Sequence, residues 1–200
     1  MTATGLLKKD HGAARRLLTQ LGRTSARAKK TRQHLIEKLV QEIEIHARLE
    51  EEIFYPLLRE VPAAAERLPE AKREHDAVRQ RLDELRTAAP GSPDLRARVQ
   101  ALRRDLLHHV REEEGALFPM AEPLGRERLE RVGAEMEGRK QELQRGSGAR
   151  EDRMGRLVQD GRVDGRAADE RADERVDRGD EQPDLVQRVK RGLQRLRGAA

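Results

Sequence analysis

This 200-residue chain has six histidines and no cysteine, and four of the histidines stand where a packed helix wants an aliphatic side chain. Alternating steps of three and four residues trace four apolar seams. They are Leu7-His11-Ala14-Leu18-Leu21, Ile36-Leu39-Ile43-His46-Glu50-Ile53-Leu57, Leu68-Ala71-His75-Val78-Leu82-Leu85 and Leu95-Val99-Leu102-Leu106-His109-Glu113-Ala116. That spacing is the buried stripe of an amphipathic helix. Each seam carries one histidine, and the second and fourth add a glutamate four residues later. Buried imidazoles and carboxylates are costly unless something satisfies them, so four histidines and two glutamates converging in one core point to a metal cluster. The lack of cysteine excludes disulfides, thiolate zinc sites and cysteine-ligated iron–sulfur clusters, leaving histidine, carboxylate and water as ligands.

Residues four apart on a helix point within about 40° of each other, one turn along the axis. One helix can therefore offer an imidazole as a terminal ligand and a carboxylate beside it to bridge two metals. Two such helices supply His46, Glu50, His109 and Glu113, while His11 and His75 supply the remaining nitrogens; two divalent ions about 3.5–4 Å apart would suit them. His34 lies off its seam and reads as a surface residue. His108 points about 100° away from the seam of His109 and is expected in solvent.

The elements that must position these residues are helices. Helix formers dominate from Leu6 to about Leu143, with breaks at Gly22 to Ser25, Val61-Pro62, Ala89 to Pro93 and Pro119 to Gly125. Ser92 as N-cap and Pro93 as first helical residue mark the start of the fourth helix. An internal repeat relates Lys8–Arg15 to Lys72–Arg79. It also relates His46-Ala47-Arg48-Leu49-Glu50-Glu51 to His109-Val110-Arg111-Glu112-Glu113-Glu114, each followed by an aromatic residue and a proline (Tyr55-Pro56, Phe118-Pro119). Two hairpins related by a pseudo-twofold axis are expected. The midpoint of His46 and His75 falls at 60.5, on Val61-Pro62, and that of His75 and His109 at 92, inside the proline-rich break. For His11 and His46 it falls at 28.5, slightly past the first break. The four histidines should thus share one level near the Val61-Pro62 end, about 25 Å from the other turns at 1.5 Å per residue. The expected fold is all-α: an up-down antiparallel four-helix bundle with an additional C-terminal helix from Arg126 to about Leu143, followed by a charged disordered tail.

At His11, His46-xxx-Glu50, His75 and His109-xxx-Glu113 the chain resembles the hemerythrin-like (HHE cation-binding) family, over about residues 5 to 143. The resemblance implies a non-haem di-iron centre with His11, His46, His75 and His109 as terminal ligands and Glu50 and Glu113 as bridging carboxylates; the same donors suit manganese or zinc. Oxygen-carrying hemerythrins have a further histidine four residues after the third-helix ligand, where this chain has Arg79. They also close the site with His-xxxx-Asp, where this chain has His109-xxx-Glu113. Two histidines per iron, two bridging carboxylates and a solvent-derived bridge would leave an open position on each ion. That arrangement favours reaction with O2, NO or peroxide over reversible oxygen carriage. The ferritin-like signature Glu-xx-His is absent, and closed structural zinc sites take four ligands rather than six. Phe54, Tyr55 and Phe118 are expected either as walls of the metal pocket or as core filler, with the Tyr55 hydroxyl placed to hydrogen-bond a bound oxygen species.

Charged residues make up 40% of the chain, so only a tightly patterned apolar minority can form the core. The net charge of +5 is spread over 42 basic and 37 acidic residues with two Phe, one Tyr and no Trp. That leaves almost nothing for stacking on nucleic-acid bases. No run is long and apolar enough for a transmembrane segment and the N-terminus lacks a signal-peptide core, so a cytoplasmic location is expected. The domain plan is a bundle over 1–145, a disordered charged linker over 146–182 and a short basic amphipathic segment over 183–200. The alternative to a di-iron protein handling a small diatomic or peroxide ligand is an adaptor. Its basic stretch 185–197 would dock to a protein, an anionic membrane surface or nucleic acid. Sensing, scavenging, iron handling or a weak redox activity would all use the same metal site.

Overall fold

The computed structural model describes residues 1–89 and 91–160, with side chains up to Gly146. The chain divides into two units, Met1–Arg153 and Met154–Ala200, and the bundle belongs to the first. The expected basic segment 183–200 and most of the expected linker lie outside the described residues.

Four long helices form the bundle: α1 (Ala3–Arg23), α2 (Lys29–Leu49), α5 (Leu68–Thr87) and α6 (Leu95–Glu112). Each packs against its neighbours in the chain, and α6 closes the ring against α1. Short helices α3 (Tyr55–Leu58) and α4 (Pro62–Ala65) carry the chain from α2 to α5, and α7 (Phe118–Ala121) leads to the outer helix α8 (Arg126–Asp160). Val61 is extended, with φ −105° and ψ 106°, so the turn falls where Val61-Pro62 places it. Among the described residues no helix is long and apolar enough to cross a membrane.

Three boundaries differ from expectation. α6 starts at Leu95, not Pro93; Ser92 Oγ accepts from the Asp94 amide at 3.3 Å, forming a turn ahead of the helix instead of capping it. α8 runs past Leu143 to Asp160. The third departure recurs at both His-xxx-Glu motifs, where the helix widens into a π-helical turn, Glu50–Phe54 and Glu113–Leu117. The amide of Tyr55 bonds the carbonyl of Glu50, and that of Phe118 the carbonyl of Glu113, each five residues back. Each turn runs directly into a proline, Pro56 or Pro119, whose ring clashes with the carbonyl four residues earlier and which offers no N–H. The extra residue shifts the seam by one. Phe54 and Leu117 are buried, whereas the expected Ile53 and Ala116 are only partly so.

The apolar core has two parts. One gathers Leu6, Leu7, Leu49, Phe54, Leu58 and Leu117 with Leu129 and Met136 of α8. The other gathers Leu18, Ile36, Leu39, Ile43, Leu82, Leu102 and Leu106 along the rest of the bundle. Along α1, His11 falls between Leu7 of the first and Ala14 of the second; along α5, His75 falls between Ala71 and Val78. The polar residues therefore form a layer between two apolar blocks.

α8 meets the start of α1 at Gly133, where a Cβ would lie 2.8 Å from both Ala3 N and Thr2 C and closer still to the Met1 carbonyl. Backbone cannot yield as a side chain can. Gly133→Ala should therefore destabilise the chain by about 1–3 kcal/mol. Gly138→Ala, on the same helix with nothing within 4 Å, should stabilise it by up to about 1 kcal/mol. Thermal denaturation of both variants with chelator present checks the contrast, and equal midpoints would contradict the close approach.

Candidate metal centre

α1, α2, α5 and α6 each bring one histidine to the layer, and the two π turns bring the glutamates at their first residues. All six side chains, His11, His46, Glu50, His75, His109 and Glu113, are buried. One potential ligand atom from each of His11, His46, Glu50, His109 and Glu113 lies within 4.8 Å of all the others. His75 joins this set of five through Glu50. The Oε2 atom of Glu50 is 3.3 Å from His46 Nε2 and 3.1 Å from His75 Nε2. The Oε2 atom of Glu113 is 3.3 Å from His11 Nε2 and 3.4 Å from His109 Nε2. Each carboxylate thus spans from one hairpin to the other. The rings pair within hairpins, His11 with His46 and His75 with His109, both at 4.7 Å between centroids.

A second ring of carboxylates faces the outer nitrogens. Glu114 Oε1 lies 2.8 Å from His11 Nδ1, Glu51 Oε1 2.8 Å from His75 Nδ1, and Glu74 Oε2 3.1 Å from His109 Nδ1. Asp10 Oδ2 faces His46 Nδ1 at 3.9 Å, beyond hydrogen-bond range. Such partners fix the tautomer that leaves Nε2 free to ligate. Their positions obey the pseudo-twofold: Asp10 and Glu74 immediately precede His11 and His75, and Glu51 and Glu114 immediately follow Glu50 and Glu113.

The profile of the hemerythrin HHE cation-binding domain matches residues 2–121. The chain belongs to this family. A solved hemerythrin HHE cation-binding domain-containing protein from Mycobacterium kansasii is 26% identical, with a TM-score of 0.67 over 76% of this chain and 93% of that one. A DNA nickase from Nostoc sp. is 26% identical over 145 residues, 72% of this chain and 40% of that protein. The chain therefore spans less than half the length of that curated relative.

The HHE layer is electrostatically unsatisfied by protein groups alone. Both carboxylate oxygens of Glu50, Oε2 of Glu113 and Nε2 of His109 are buried without a hydrogen-bond partner among the described residues. Burial, and then the charge of Glu113, pushes the Glu50 carboxyl well above its ordinary range. Burial pushes Glu113 the same way, but the charge of His109 and the nearby His11 ring outweigh it and hold Glu113 low. Burial lowers His46 to about 4, so its ring is neutral. Burial also lowers His109, yet the Glu113 charge prevails and raises it. Orphaned oxygens and nitrogens converging on one point are what a bound cation would satisfy, and the oxygen and imidazole donors fit one.

Tyr55 lies inside this layer. Its hydroxyl donates to Glu113 Oε1 at 2.8 Å and is 3.2 Å from His75 Nε2, so it positions a carboxylate instead of standing free for a bound oxygen species. Burial and the two carboxylates keep the phenol well above its ordinary pKa. Phe118 stacks on His11 with ring centroids 5.8 Å apart and planes 4° apart, while Phe54 packs edge-on against Phe118. His34 is exposed, as expected. His108 is exposed too, but its Nε2 reaches Glu74 at 3.2 Å. The outer carboxylates are hidden from seam periodicity because they lie off the apolar stripes; the usable signal is an acid immediately before His11 and His75 and immediately after Glu50 and Glu113.

Proposed function

We propose that the chain is a non-haem di-iron protein that binds or reacts with a small ligand such as O2, NO or peroxide. His11 and His46 would hold one ion and His75 and His109 the other, with Glu50 and Glu113 shared between them. The observation that carries this reading is the placement of each glutamate Oε2 between histidine nitrogens of opposite hairpins, with no hydrogen-bond partner among the described residues. When bound, the iron pair supplies electrons and open coordination positions, which the side chains cannot. The protein's own contribution is to hold the donors rigid and exclude water. Tyr55 fixes Glu113, and the outer carboxylates orient the imidazoles. Ile43, Ala47, Val78, Leu82 and Leu106 line a cavity of about 10 Å³ against His46, His75 and His109, room for one water-sized molecule. Arg79 and Glu44 border that cavity as well, so Arg79, anchored to Glu51 at 2.8 Å, stands at its edge.

Anaerobically purified chain should contain about two irons and show a near-ultraviolet charge-transfer absorption that changes on adding O2, NO or H2O2 separately. The double variant His46→Ala with Glu113→Ala should lose both the metal and the spectrum. Equal iron content in wild type and double variant would refute the site. The likeness to a DNA nickase covers a minor part of that protein and lends no support to strand cleavage here. Docking through 185–197 stays a sequence-based proposal.

A further inference from the structure

The pseudo-twofold makes Asp10 the counterpart of Glu74: each precedes a seam histidine and faces the Nδ1 of the histidine on the partner helix of its hairpin. Their surroundings differ. Glu74 bonds His109 Nδ1 at 3.1 Å, and its other oxygen meets the exposed His108 at 3.2 Å. Asp10, which is buried, gives Oδ1 to the ammonium of Lys140 at 2.5 Å, and Lys140 is itself only 14% exposed. Its Oδ2 stops 3.9 Å short of His46 Nδ1, and both of those atoms are buried without a hydrogen-bond partner. Lys140 belongs to α8, which lies outside the repeat, and among the described residues no lysine or arginine is paired with Glu74.

We propose that Lys140 makes the two ends of the centre unequal, drawing Asp10 off His46 so that the His11–His46 end binds its ion more weakly and last. The inference rests on the two-ion reading above. A carboxylate on the outer N–H raises the donor strength of the imidazole, and losing such a partner typically costs 10–100-fold in metal affinity. The ammonium acts twice in the same direction. It ties up the Asp10 charge, and it places a like charge near an incoming cation. Lys140 is therefore a positioning residue, and the centre can exist half-filled with the His75–His109 end occupied.

Titration of the metal-free full chain with Co²⁺, followed by its visible absorption, should resolve two steps separated by about tenfold or more. His46→Ala should remove the weaker step and keep the tighter. Lys140→Met should raise the weaker affinity and bring the steps together, while Lys140→Arg keeps them apart. A purely structural lysine would weaken binding when removed, so the direction separates the two roles. A downfield His46 Nδ1–H proton resonance should appear in metal-free Lys140→Met as Asp10 closes on the ring. Should Lys140→Met fold poorly, Lys140→Gln serves, with circular dichroism as the control. Two equal steps in wild type, or an unchanged gap in the lysine variants, would overturn this inference alone. Saturation at one ion per chain or none in wild type would overturn the two-ion reading beneath it.

Discussion

Glu50→Leu is expected to make the metal-free chain more stable and the metal-saturated chain less stable than wild type. Glu50 is fully buried, and neither of its oxygens has a hydrogen-bond partner among the described residues. Replacing buried charged groups with well-packed apolar ones commonly gains about 1–4 kcal/mol. Metal reverses the order, because a ligand at a thousand times its Kd adds about 4 kcal/mol per site to the state that binds it. For a unit of this size each kcal/mol moves the melting midpoint by about 2–4 °C. The raised Glu50 carboxyl sets the pH trend. A proton held in the folded state stabilises it fully below the ordinary carboxylate range, and that stability is lost as pH rises through the raised value. The advantage of the metal-free variant should therefore widen with rising pH. Calorimetric melts with chelator and with saturating metal check both signs. A variant less stable than wild type in chelator, or one that metal still stabilises fully, would sink the account.

That crossing of signs explains why the site was legible at all. A core position filled by His11, His46, His75 or His109 violates the pattern that folds the bundle, and a violation repeated in register on four helices is too consistent to be chance. Turn positions then gave the level, because two-ended hairpins obey simple midpoint geometry. Beyond Glu50 and Glu113 the same reasoning failed by one residue. A regular helix carries the seam to Ile53 and Ala116, whereas the π turns carry it to Phe54 and Leu117. Periodicity assumes 3.6 residues per turn throughout, and only Pro56 and Pro119 warned that the helix could not keep it. Lys140 was illegible for another reason. Nothing in a charged surface helix marks which of its lysines reaches a buried aspartate 130 positions earlier.

The same π turns bring the aromatic residues into play, and Phe54 and Phe118 separate packing from site support. Both are buried to within 3%, and they touch edge-to-face with centroids 5.6 Å apart. Truncating either to alanine should cost about 3–5 kcal/mol of stability, the usual loss for a buried phenylalanine. Of the two rings, Phe118 is the one that stacks on a candidate histidine ligand, lying flat on His11. Phe118→Ala should therefore free the His11 ring to rotate and lower the affinity of the His11–His46 end by about tenfold, the low end of what losing an orienting partner costs. Phe54→Ala should leave both metal-binding steps close to wild type at the same stability cost. Urea unfolding in chelator and metal titration of the folded variants measure the two quantities separately. Equal metal affinities for both variants would make Phe118 core filler and leave the orientation of His11 to Glu114 alone.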